Sequence, residues 1–84
     1  MSNKTRAEHL AWCKERAMSE YDYYSQKEGH EVAARNAMAS IVSDLRKHPE
    51  TASSGDGPLA ALAIMSVPTM RTRADVAKFV EGYN

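Results

Sequence analysis

Two residues in this chain have a spacing that suits chemistry: His9 and Cys13 stand four apart, where one helix face would let them form a thiolate–imidazolium pair or share a metal. At about 100° per residue, Cys13 falls on the inward side with Leu10 and Ala17, where a thiol behaves as a small hydrophobe rather than a nucleophile. His30 and His48 are isolated in the sequence, whereas structural zinc sites pair their ligands at short spacings. No catalytic residue, metal or cofactor is therefore assigned, and the chain reads as non-enzymatic. With a single cysteine there is no internal disulfide, which fits a reducing compartment and makes the cytoplasm the expected location.

Two basic groups invite a second chemistry, contact with phosphates. One is Arg46 and Lys47 with His48; the other is Arg71, Arg73 and Lys78, near a pair of short helices that superficially resembles a helix-turn-helix with residues 73–80 as its reading helix. Against this, 11 basic and 11 acidic residues give zero formal net charge, so no long-range field draws in nucleic acid or an anionic membrane. Asp75 and Glu81 also offset the second basic group. A nucleic-acid-binding accessory protein is the alternative reading.

A third group points to protein recognition. On a helical projection Trp12, Arg16, Ser19 and Tyr23 lie on one line, nearly opposite a stripe of Leu10, Cys13, Ala17, Tyr21 and Tyr24. A helix with two apolar faces is the middle layer of a fold or half of an interface. Trp12 is expected to be covered, as an anchor within the fold, and Tyr23 to be exposed, since Tyr21 and Tyr24 belong to the inward side.

The elements that position these residues all read as helices. Thr5 and Glu8 have the spacing of a capping box, so a first helix starts near Arg6 and ends near Glu28, where Gly29 permits a sharp reversal. Ala34, Ala37, Met38, Ile41, Val42 and Leu45 share one face of a second helix over residues 31–47, ended by Pro49. The small residues of that face let the two helices pack closely as an antiparallel hairpin. Residues 51–57 have the composition of a flexible loop, and Pro58 opens a short third helix, capped near Asp56 or Gly57 and stopped by Pro68. Its apolar residues point in every direction, which predicts burial on most sides, against the Trp12 and Tyr23 line. Thr72 with Asp75 caps a fourth helix, and Val76, Phe79, Val80 and Tyr83 form its inner face before Gly82. The longest apolar run, residues 58–67, is far below the roughly 20 residues needed to span a bilayer. The expectation is one all-α domain over residues 1–84, a hairpin of two long helices with two short helices packed on it.

Four segments taken together carry a resemblance: residues 8–17 (Glu8 to Ala17, with His9-Leu10-Ala11-Trp12-Cys13), 43–51 (with Leu45-Arg46-Lys47-His48-Pro49), the 69–73 turn, and the ending 79–84 (Phe79-Val80-Glu81-Gly82-Tyr83-Asn84). In this order they resemble small uncharacterised proteins of tailed bacteriophages, especially those of actinobacteria such as mycobacteria. The resemblance implies no activity and carries over no functional residue. Two stretches depart from the pattern: the long, tyrosine-rich 19–30 and the Gly/Ser-rich 53–57. The absence of a catalytic constellation, the two-faced first helix and the resemblance together lead to the expectation of a non-enzymatic helical module that binds another protein, a bacterial host protein in the case of a phage. Because an 84-residue core is small, homodimerisation is also expected.

Overall fold

The computed structural model describes residues 5–52 and 57–83, apart from the side chains of Pro58 and Leu59. Four helices follow one another: α1 (Arg6–Glu28), α2 (His30–Leu45), α3 (Gly57–Met65) and α4 (Arg73–Glu81), with a single 3-10 turn (Val67–Thr69) between the last two. No strand occurs among the described residues. The fold is all-α.

Local chemistry sets each boundary. At the start of α1 the Thr5 amide donates to Glu8 Oε1 (2.9 Å) and the Glu8 amide to Thr5 Oγ1 (3.1 Å), satisfying two amides that the first turn leaves unpaired. Thr72 and Asp75 repeat the arrangement at α4. Gly29 alone joins α1 to α2, at φ 92° and ψ 175°, a backbone region open essentially to glycine. The second helix thus begins at His30, one residue earlier than its periodicity indicates.

The α1–α2 pair is the body of the molecule, and α4 packs on both helices. Its core is the row His9, Cys13, Ala17 and Tyr21 on α1 against Ala33, Ala34, Ala37, Met38, Ile41 and Leu45 on α2, closed by Val76 and Val80 of α4. This corrects the projection: the buried row runs at i, i+4 through His9, while Leu10, Tyr24 and Val42 lie partly buried at its edge. Small residues at the centre of the row bring the backbones together, and a strict four-residue spacing holds that contact along a pair of long helices.

The loop after α2 is also more structured at its start than its composition indicates. Thr51 is fully buried, its hydroxyl donating to the Leu45 carbonyl (2.6 Å) and so satisfying a carbonyl at the end of α2. Residues 53–56, including the Asp56 cap, lie outside the described residues.

The larger correction concerns α3. Its backbone packs on α2 and on the 3-10 turn and, among the described residues, not on α1, so it does not cover the Trp12 and Tyr23 line. Nor is it buried on most sides: Leu62 is 55% exposed, Ile64 43% and Met65 75%. Only Ala63 among its described side chains is buried. A nine-residue helix at the edge of a small domain has neighbours on one side only, so an all-round apolar sequence leaves most of its circumference in water.

Candidate protein-interaction site

Trp12 sits in a cluster built by both long helices. One turn before it, buried His9 points at the end of α2, where its Nε2–H donates to the Asp44 carbonyl (2.8 Å). That bond fixes the imidazole, whose ring stacks on Trp12 with centroids 5.5 Å apart and lies 5.1 Å from the His48 ring. Asp44, only 1% exposed, accepts from Arg16 Nε (2.8 Å) and Lys47 Nζ (3.0 Å). The same two cations lie 5.5 Å and 5.8 Å from the centre of the indole ring, within range of cation–π attraction. The indole is therefore half-buried by the end of α2 and its charges. Arg16 is likewise committed to Asp44.

Further along the line the surroundings change. Ser19 is exposed, and Tyr23 is 55% exposed, its ring edge-on to Tyr24 and 5.1 Å from Lys27 Nζ. The four residues of the line are thus two environments: Trp12 and Arg16 tied into a polar cluster, Ser19 and Tyr23 facing solvent.

The basic residues are not gathered into one patch. Arg73 reaches back to α1 and grips Asp22 with two bonds, Nε to Oδ1 (2.8 Å) and Nη2 to Oδ2 (3.1 Å). This hydrogen bonding holds the Asp22 carboxyl below its usual range and raises the Arg73 guanidinium. Lys47 lies over Trp12, ten positions from Asp22 along α1, or about 15 Å at the helical rise. Arg46, Arg71 and Lys78 are exposed, and the Arg71 amide donates to Asp75 Oδ2 (2.8 Å). The amides of Arg71 and Thr72 together keep the Asp75 carboxyl below its usual range.

The His9 Nε2–H is bonded to the Asp44 carbonyl, and the Cys13 thiol is fully buried in the helix interface. Among the described residues no group of three His, Cys, Asp or Glu side chains is placed to hold a metal. His30 works as a tie. Its Nε2–H donates to the Met70 carbonyl (2.7 Å) and its Nδ1 accepts from the Tyr21 hydroxyl (2.6 Å), joining the hairpin to the segment before α4. The surface depressions are open grooves, one of them between the start of α1 and the chain end, with Arg6, Leu10, Lys14 and Tyr83 along it; burial there raises the Tyr83 hydroxyl above its usual value.

What stands out is the outer face of α3. Leu62, Ile64 and Met65 are the large apolar side chains that, with Tyr23, are most exposed among the described residues. No charged residue occurs from Gly57 to Met70. The apolar residues that predicted burial on most sides of this helix are the ones the structure leaves in solvent. Comparison with known proteins gave no match among protein-family models, curated proteins or solved structures. Among the described residues no helix is long and apolar enough to cross a membrane.

Proposed function

We propose that this protein is a non-enzymatic helical module that binds another protein, and that α3 is its docking surface. The observation that carries the reading is the exposed, uncharged face of Leu62, Ile64 and Met65 on a helix held to the body from one side. Exposed apolar side chains that are contiguous, rather than scattered, mark interaction sites on small proteins. A helix laid into a partner's groove uses such a face, with apolar anchors at three- and four-residue spacings. Leu62 and Met65 have that spacing. The resemblance to proteins of actinobacterial phages supports a bacterial host protein as partner and the host cytoplasm as the place of action. Tyr23, exposed on α1, is a secondary contact candidate.

Capture of the tagged protein's partner from host lysate tests this. The captured protein is expected to be lost from the Leu62→Lys/Met65→Lys variant and kept by Tyr23→Ala. Capture that is indifferent to the α3 changes would move the docking surface elsewhere. Binding of DNA or RNA at micromolar protein, weakening steeply as salt rises, would instead favour a nucleic-acid role.

A further inference from the structure

We propose that Met65 is a site at which peroxides oxidise this protein, and that the resulting sulfoxide turns the outer face of α3 from apolar to polar. The consequence for docking rests on the reading of α3 as the interaction surface. The site itself rests on which sulfur atoms the fold leaves in water.

Five sulfur atoms lie among the described residues: the Cys13 thiol and the thioethers of Met18, Met38, Met65 and Met70. A thioether carries no ionisable proton, so its oxidation follows access to the oxidant, and a buried thiol is inert. Cys13 and Met38 are 0% exposed, Met70 is 6% exposed, and Met18 packs partly buried against the core. Met65 is 75% exposed. It is the last residue of α3, about 12 Å along the axis from Gly57 where the helix begins. A peroxide in solution therefore meets one of these thioethers openly and is screened from the other three.

The step balances with the peroxide alone. A sulfur lone pair attacks one peroxide oxygen, and the S–O bond forms as the O–O bond breaks. The departing hydroxide takes the proton of the transferred oxygen and leaves as water, so sulfur loses two electrons and the peroxide gains them. The product carries a strong hydrogen-bond acceptor one turn after Leu62, in a stretch with no charged residue from Gly57 to Met70. At Met38 the same oxygen would enter the core and break its packing, whereas at Met65 it stands in water. The modification thus alters the surface while the fold persists. It is reversible, because methionine sulfoxide reductases return the thioether by oxidising two thiols to a disulfide and releasing the oxygen as water.

Peroxide titration of the folded protein, read by tandem mass spectrometry of its peptides, tests the site. Met65 should gain one oxygen, about 16 Da, at least ~10 times faster than Met38 or Met70 and at least ~3 times faster than Met18. In urea-unfolded protein the four rates should converge, since only the fold distinguishes these residues. The change of surface is read by hydrophobic-interaction chromatography. Oxidised wild type should elute earlier with an unchanged melt, and reductase with a dithiol should restore its position. Met65→Leu, close in size and inert to peroxide, should not show that shift under the same treatment. Oxidation of Met18, Met38 or Met70 as fast as Met65 in the folded protein, unchanged elution once Met65 is converted, or an equal shift in Met65→Leu would overturn the assignment. The mass-spectrometric arm uses the wild type alone and does not depend on the variant. Failure here leaves protein docking through α3 standing, because that reading is decided by capture with the unoxidised protein.

Discussion

Asp44 shows how a single side chain organises its surroundings. Its carboxylate is 1% exposed while the side chains of the two cations that meet it are about half exposed, so removing one cation leaves the other to neutralise the buried charge. Arg16→Ala and Lys47→Ala should each cost about 1 kcal/mol, and the double variant about 3 kcal/mol, more than the sum, because it strands the carboxylate. Urea melts of the four proteins give the coupling; strict additivity would mean that solvent already neutralises Asp44. The indole held by these cations has its own expectation. Trp12→Ala should cost about 3 kcal/mol, the lower end for a large aromatic because the ring is only half-buried, whereas Tyr23→Ala should stay within about 0.5 kcal/mol. Thermal melts followed by circular dichroism separate the two, and a Tyr23→Ala variant as damaged as Trp12→Ala would contradict this assignment of faces.

At the scale of elements, Gly29 is the sharpest dependence. It is the whole connection between two long helices, and nothing lies within 4 Å of the position its Cβ would take, so alanine meets no clash and only the backbone objects. Gly29→Ala should therefore lower stability by about 1–3 kcal/mol with the hairpin geometry retained, which a denaturant titration with an unchanged m-value would show. The helices themselves were legible in the sequence because their signals are local: Thr5 with Glu8, Thr72 with Asp75, Gly29, and the apolar spacing of α2 and α4. The polar interior was not. His9 and Asp44 meet across 35 positions of chain, and neither residue type announces burial on its own. Thr51 was hidden in the same way, inside a stretch whose small polar residues describe a loop equally well. The exposed face of α3 escaped because an all-apolar segment reads as core until its neighbours are counted, and sequence does not count neighbours.

For the whole molecule, acid is the informative stress. Arg73 holds the Asp22 carboxyl below its usual range, and the Arg71 and Thr72 amides do the same for Asp75. A carboxyl depressed in the folded state stabilises above its unfolded value near 3.8 and loses that contribution as pH falls through the folded value. The melting temperature should therefore drop between about pH 5 and pH 2, and drop less in an Asp22→Asn/Asp75→Asn variant that starts lower at neutral pH. Equal slopes would remove these two groups as the source of acid sensitivity.

The one-sided attachment of α3 carries a kinetic meaning as well. A helix that packs on α2 and the 3-10 turn, with Ala63 the one buried side chain among those described, can open without disturbing the α1–α2 interface. Its backbone amides should then exchange with deuterium through local opening, while those facing the core of α1 and α2 wait for the whole molecule to unfold. Exchange read fragment by fragment would then show α3 fully labelled while the core-facing amides of α1 and α2 are still protected, and equal protection in all three helices would mean that α3 opens only with the rest.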